Sequence, residues 1–135
     1  MVRYLLDTDI CIYVINRRPS GVFDRFATLE AGEVGISSIT GAELHFGVAK
    51  SGSARNAAAL EKFLAPLEVM PFEEQAMRRY GLLRSHLESS GKPIGALDLL
   101  IAAHALALGT TLVTNNLREY GRIAGLKVEN WVSKS

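Results

Sequence analysis

The sequence has 135 residues, 48% hydrophobic and 21% charged, a composition typical of a single globular domain and too apolar for a disordered chain. Fifteen Lys and Arg oppose fourteen Asp and Glu, so the net charge of +1 does not by itself indicate a nucleic-acid-binding protein. The first apolar run meets Asp7 too early for a signal peptide and no stretch is long enough for a membrane span, which predicts a cytoplasmic protein.

Short apolar or β-branched runs alternate with segments of helical periodicity along the whole chain. The predicted strands cover residues 2–6, 34–39, 67–70, 110–114 and, at an edge, 126–128. The predicted helices cover residues 8–15, 22–29, 40–50, 54–64, 73–90, 97–108 and 115–120. The helix at 97–108 is apolar on nearly every face apart from Asp98 and His104, which predicts a central, buried position. Together these elements predict an α/β domain spanning residues 1–135, with a mostly parallel sheet of four to five short strands flanked by helices.

Four polar side chains occupy equivalent places in this pattern, at or near the start of a helix. They are Asp7, Glu43, Asp98 and Asn116. Each has a purely structural explanation: Asp7 and Asp98 fit simple helix N-caps, and Thr40-x-x-Glu43 and Asn116-x-x-Glu119 fit capping boxes. Because the carboxyl ends of parallel strands meet at one edge of a sheet, the same four side chains are also expected to converge there.

Converging carboxylates repel one another unless a positive group lies among them, and a divalent cation is a common solution. The single cysteine, Cys11, is expected to be a small buried hydrophobic residue and excludes a multi-cysteine zinc site. His45 and His86 are expected on helix surfaces and His104 in the core, so none is assigned to a metal. Oxygen ligands alone favour Mg²⁺ or Mn²⁺, which commonly act on phosphate esters.

Four segments of the sequence, taken in order, resemble PIN-domain ribonucleases, specifically toxins of the VapC type. They are Leu6-Asp7-Thr8, Glu43-x-x-x-Gly47, the run from Asp98 to Ala105, and the run from Val113 to Tyr120. The likeness extends from the first strand to Trp131 and implies the PIN-like three-layer α/β/α fold. It also implies a metal-dependent endoribonuclease that belongs to a bacterial toxin–antitoxin pair.

The resemblance assigns roles to individual residues. Asp7 and Asp98 would be the principal Mg²⁺ ligands, and Glu43 would complete the acidic cluster as a weaker ligand. Asn116 stands where many members carry aspartate and would be the other weaker ligand of this catalytic set, directly or through a water. Thr8 and Thr114 resemble hydroxyls that orient water or a neighbouring carboxylate. The implied reaction is attack of metal-activated water on phosphorus, which leaves 5′-phosphate and 3′-hydroxyl ends without attack by the 2′-hydroxyl.

The resemblance also implies partners. The substrate in the family is commonly structured RNA, often tRNA, cut in a single-stranded loop. Basic side chains in loops or at helix ends are candidates for phosphate contacts, with solvated surface charge as the alternative for each. They are Arg17, Arg18, Lys50, Arg55, Lys92 and Arg118. A cognate antitoxin that covers the acidic pocket and a homodimer, which can join a larger toxin–antitoxin assembly, are expected as well.

Two other functions compete with this interpretation. Asp7-Thr8-Asp9 after a strand also resembles the start of a haloacid-dehalogenase-type phosphatase, but the nineteen residues after Asn116 contain no aspartate for its last motif. A non-catalytic protein-binding module with the same fold is the second alternative, and the amide at Asn116 favours it. No glycine-rich phosphate-binding motif is present, which disfavours a nucleotide-binding domain.

Overall fold

Five parallel strands form the centre of the computed structural model, which describes residues 1–132. The strands are β1 (Tyr4–Leu6), β2 (Val34–Ser37), β3 (Glu68–Met70), β4 (Thr111–Val113) and β5 (Lys127–Glu129). Their order across the sheet is β3-β2-β1-β4-β5, so the first strand of the chain lies in the middle. Leu5 of β1 is in register with Gly35 of β2 and Leu112 of β4. The prediction of a parallel sheet with an edge strand near residue 128 is confirmed.

Helices cover both faces of this sheet. They are α1 (Thr8–Asn16), α2 (Ser20–Ala27), α3 (Ser38–Ser51), α4 (Ala54–Leu64), α5 (Glu74–Ser89), α6 (Ala96–Leu108) and α7 (Leu117–Tyr120). Because side chains alternate along a strand, β1 contributes to two separate cores. Tyr4 and Leu6 join the core beneath α1 to α4, and Leu5 joins the core beneath α5 and α6. The predicted three-layer α/β/α arrangement is therefore present.

The most apolar helix, α6, lies in the interior as predicted. Ile101, Ala102 and Ala105 are almost completely buried there, and Cys11 of α1 is buried in the opposite core. His104 is also a core residue, 1% exposed, and its Nδ1 lies 2.8 Å from the hydroxyl of Ser37. None of the helices described is long and apolar enough to cross a membrane.

The N-caps of α3 and α6 differ from the predictions. The strand predicted at 34–39 ends at Ser37, because the Ser37 hydroxyl accepts a hydrogen bond from the Ile39 amide at 3.0 Å and so begins α3. The predicted capping box from Thr40 to Glu43 is therefore wrong. The N-cap of α6 is Gly95, so the prediction that Asp98 caps this helix is also wrong.

A close approach of two backbones explains the glycine in β2. A Cβ atom at Gly35 would lie 2.7 Å from the carbonyl oxygen of Glu68 in β3. Only a residue without a side chain allows β2 and β3 to pair at this point. The pairing fixes the position of β2, from which α3 departs.

Candidate active site

The carboxyl ends of β1, β2 and β4 meet at one edge of the sheet, and polar side chains follow each of them. Asp7 comes directly after β1, and its amide donates to the carbonyl of Val113 at the end of β4, at 3.0 Å. Thr114 follows β4 and is completely buried. α3 begins where β2 ends, and Glu43 lies in its second turn. The edge therefore collects residues that are far apart in sequence.

Asp7 is the most buried acid of this group, with 7% of its surface exposed. Its Oδ1 accepts a hydrogen bond from the Ile10 amide at 2.9 Å, so the prediction that Asp7 caps α1 is confirmed. The pKa of Asp7 is raised from 3.8 to about 6, mainly by burial and in smaller part by the negative charges of Asp9 and Asp98, while hydrogen bonds from Thr114 and Ile10 oppose the rise. Burial and the neighbouring negative charges therefore both favour the protonated form of Asp7.

Asp98 faces two further side chains, Glu119 and Tyr120. Burial raises the pKa of Glu119, and a hydrogen bond with Asp98 and that residue's negative charge raise it further. Asp98 is thus close enough to Glu119 for its negative charge to act on the Glu119 carboxyl group. The buried Tyr120 hydroxyl also lies near Asp98 and Asp7, and its pKa is raised by burial and then by these charges. Neither the Tyr120 hydroxyl nor Glu119 Oε1 has a hydrogen-bond partner among the described residues.

A second carboxylate position is formed by α1 and α3. The Thr8 hydroxyl donates to Glu43 Oε1 at 2.6 Å, a short distance consistent with a charged acceptor. Glu43 is half-buried, and the Thr8 contact restricts its orientation. Thr8 thus orients Glu43 through its hydroxyl. Thr114 does the same for Asp7 through a side-chain hydrogen bond.

Asn116 is exposed and serves as the N-cap of α7. Its Oδ1 accepts from the amide of Glu119 at 3.3 Å, which confirms the predicted cap. The reciprocal half of the capping box does not form, because the Asn116 amide donates instead to the Thr114 hydroxyl at 3.0 Å. The Glu119 carboxylate is consequently free of a capping role and turns toward Asp98.

The donor set suits a hard divalent cation. All the groups at the edge are carboxylate, hydroxyl or amide oxygens, and Asp7 is crowded by two other acids. Within residues 1–132, no three Asp, Glu, His or Cys side chains already form a metal cage. A cation at this edge would therefore be held by acids that adjust their side chains on binding. The unpartnered Glu119 oxygen and the mutual repulsion of the acids are the features that an added positive charge would satisfy.

The basic residues named in the sequence separate into two groups. Lys92 and Arg118 line one cleft together with Asn116, Glu119 and Arg122. The other four do not line this cleft. The Arg17 guanidinium packs over the ring of Phe23, 4.6 Å from its centre, while Arg18, Lys50 and Arg55 are exposed at or beside helix ends.

The model of one protein family matches residues 4–126, nearly the whole chain, and that family is the PIN domain. The chain belongs to the PIN-domain family.

Relatives of VapC type resemble this PIN domain over its full length. Ribonuclease VapC2 of Haemophilus influenzae is 45% identical over 98% of this chain and 100% of its own. The tRNA(fMet)-specific endonuclease VapC of Shigella flexneri is 40% identical over 97% of this chain and 99% of its own. The VapBC2 structure from Rickettsia felis, bound to a promoter DNA fragment, superimposes with a TM-score of 0.86 at 43% identity, covering 97% of this chain and 99% of that one. The haloacid-dehalogenase alternative is thereby excluded.

Three residues beside the acidic edge of this PIN domain were not identified as site residues from the sequence. They are Glu119, Tyr120 and Arg122. Glu119 was interpreted only as half of a capping box. A glutamate in the short helix that follows β4 can equally reach Asp98 of α6. The buried tyrosine beside it has no comparable sequence signal.

Proposed function

We propose that this chain is a divalent-metal-dependent endoribonuclease toxin of a toxin–antitoxin pair. The observation that carries the proposal is the burial of Asp7 at the carboxyl ends of the strands, where the charges that act on it are those of other acids, Asp9 and Asp98. Acids crowded in this way repel one another in the metal-free protein, and a bound divalent cation would relieve that repulsion. The full-length likeness to proteins named ribonucleases supports the same reaction.

We assign the metal, Mg²⁺ or Mn²⁺, to Asp7 and Asp98 as principal ligands. Glu119 supplies a third carboxylate, and Asn116 is left to cap α7. Glu43, held by Thr8, completes the acidic cluster from the other side. When bound, the metal supplies an activated water and stabilises the charge that develops on the phosphate. Thr114 keeps the Asp7 carboxylate oriented through its hydrogen bond.

The substrate we propose is a structured RNA, in particular a tRNA, cut in a single-stranded loop to leave 5′-phosphate and 3′-hydroxyl ends. Support comes from the relative named as a tRNA(fMet)-specific endonuclease. Cleavage in a loop is chemically reasonable because unstacked nucleotides can enter a narrow acidic edge. Such a reaction would take place in the cytoplasm, where it blocks translation.

The partner we propose is a cognate antitoxin, because similar chains are found in VapBC complexes. We expect the antitoxin to cover the acidic edge and so to prevent RNA from reaching Asp7 and Asp98. Association of two copies of the chain stays a prediction, to be checked by light scattering of the isolated protein and of its complex.

The experiment is to express the protein briefly, map the new 5′ ends in total RNA, and repeat it with Asp7→Ala and Asp98→Ala. We expect discrete cuts in a small set of RNAs for the parent and none for the variants, with circular dichroism and antitoxin binding unchanged. Cleavage by both variants at the parental rate would overturn the proposal. A parent that binds antitoxin but never cuts RNA would instead support the non-catalytic module.

A further inference from the structure

A positively charged cleft borders the acidic edge. It has a volume of about 440 Å³ and is lined by Lys92, Asn116, Arg118, Glu119 and Arg122. Three cationic side chains therefore face one carboxylate, although the net charge of the whole chain is only +1. Charge of one sign concentrated in a concave surface attracts ligands of the opposite sign.

The cations of the cleft are not used to pair with acids elsewhere. The ion pairs in the described part of the chain involve Arg3, Arg25, Arg78 and Arg84, and none involves Lys92, Arg118 or Arg122. Arg122 lines the cleft together with Glu119, which places this residue beside the acidic edge. Cationic groups that remain unpaired beside a carboxylate site are available to an anionic ligand.

Arg122 connects the two segments that form the cleft. Its guanidinium donates weak hydrogen bonds to the carbonyl of Lys92 at 3.3 Å and to the carbonyl of Pro93 at 3.5 Å. These bonds hold the loop between α5 and α6 against the segment that follows α7. Lys92 and Arg118 are thereby kept in the lining of the same cleft.

We propose that Lys92 and Arg118 bind an RNA phosphodiester group next to the one that is cut, and that Arg122 is the positioning residue that holds the Lys92 loop. The inference rests on the proposed nuclease function and adds to it a second point of attachment for the substrate strand. Glu119 belongs both to the cleft and to the surroundings of Asp98, so a strand whose scissile phosphate lies at the carboxylates passes directly into the cleft. Arginine is well suited to this role because its planar fork matches phosphate oxygens.

The test measures binding separately from cleavage. A fluorescein-labelled single-stranded RNA is titrated with protein in EDTA, where no cut is made, at several salt concentrations. We expect Lys92→Ala/Arg118→Ala to weaken binding and to reduce the slope of log K against log salt by about 0.7 for each phosphate that is no longer neutralised. The matched control, Arg78→Ala/Arg79→Ala on α5, removes the same charge from side chains outside the cleft and is expected to leave the slope unchanged.

Arg122→Lys distinguishes positioning from charge. It keeps the positive charge but loses the planar fork that reaches two carbonyls, so we expect weaker binding with the parental salt slope. In cleavage assays with Mg²⁺, Lys92→Ala/Arg118→Ala is expected to raise KM far more than it lowers kcat, since an interaction common to the ground and transition states is removed.

Several outcomes would overturn the inference. One is a cleft variant that binds and cuts RNA like the α5 control while the parent cuts RNA normally, in which case the nuclease function stands and the cleft has no part in it. Another is loss of antitoxin affinity with RNA binding unchanged, which would assign the cleft to a protein partner. A parent that binds RNA without ever cutting it would contradict the proposed function instead.

Discussion

The hydroxyl of Thr8 lies 2.6 Å from Oε1 of Glu43 and joins the first turn of α1 to the second turn of α3. The contact fixes an acid that is only half-buried and would otherwise adopt several rotamers. It thereby links the helix that Asp7 caps to the helix that carries Glu43.

We expect Thr8→Val to reduce RNA cleavage by about 10- to 100-fold, the usual cost of losing a group that orients a metal-binding carboxylate. Thr8→Ser keeps the hydroxyl and is the matched control, expected to retain most of the activity. Initial rates on a labelled RNA at saturating Mg²⁺ provide the measurement. Equal rates for the two variants would show that the hydroxyl is unimportant.

Asp7→Asn is expected to abolish cleavage and yet to stabilise the metal-free protein. Asparagine is also a good N-cap, so α1 is retained, whereas a buried negative charge near Asp9 and Asp98 is removed. A pKa raised from 3.8 to about 6 corresponds to a gain on the order of 2 to 3 kcal/mol at neutral pH. This gain should disappear below about pH 4, where the native carboxyl is already protonated.

The measurement for Asp7→Asn is urea unfolding in EDTA and again with Mg²⁺. We expect Mg²⁺ to raise the unfolding midpoint of the parent by preferential binding to the folded state, and to have little effect on the variant. A variant less stable than the parent in EDTA would show that the local charge repulsion is unimportant.

Ser37→Ala is expected to destabilise the fold by about 2 to 3 kcal/mol. The change removes the N-cap of α3 and leaves Nδ1 of His104 without its partner inside the core. Ser53 is a suitable control, because it caps α4 through the Asn56 amide at 3.1 Å without a histidine contact. Ser53→Ala should cost about 1 kcal/mol in the same denaturation experiment. Similar losses for both would exclude a contribution from the His104 hydrogen bond.

His104 should make stability fall in mildly acidic solution. Burial lowers its pKa below 6.5, although the charge of Glu73 opposes the shift. Between the two pKa values the unfolded chain binds more protons than the folded one, so stability is complete above about pH 6.5 and decreases as the pH falls through the depressed native value. The Ser37 hydroxyl, which also faces the ring, does not titrate.

His104→Gln should flatten the dependence of the unfolding free energy on pH between about pH 5 and 7, relative to the parent. The variant changes core packing as well, so the slope rather than the absolute stability is compared. His45→Gln replaces a histidine outside the core and should keep the parental slope. An unchanged slope in His104→Gln would mean that another group carries the pH dependence.

The sheet could be predicted because each strand is a short apolar or β-branched run beside a turn signal. The boundary at Ser37 could not, since Ser37, Ser38 and Thr40 are all acceptable caps in isolation. The choice is made by tertiary structure: Ser37 alone reaches His104, sixty-seven residues away. In α5 the helical spacing from Tyr80, Leu83 and Leu87 favours Met77 as a buried residue, but Met77 is 54% exposed and the small Ala76 is buried instead.

The sequence could predict those site residues whose positions follow from where the strands end. Asp7 follows β1 directly, and Asp98 lies in the first turn of the helix that leads into β4, so topology brings them together. Glu119 and Arg122 depend on the direction in which α7 and the following turn leave the sheet, which no local pattern specifies. The pattern Asn116-x-x-Glu119 is compatible with a glutamate that caps α7 and equally with a glutamate that faces Asp98.

The central position of β1 has a consequence during synthesis on the ribosome. β1 is translated first, but one of its two neighbours, β4, is made only at residues 111–113, after Asp98 has been added. A nascent chain released before that point carries Asp7 and Asp98 but lacks the strand that pairs with β1, and long-range parallel pairing is slow to form. Truncated translation products would therefore lack an assembled acidic edge, and the proposed cleavage of RNA would begin only once β4 has been added.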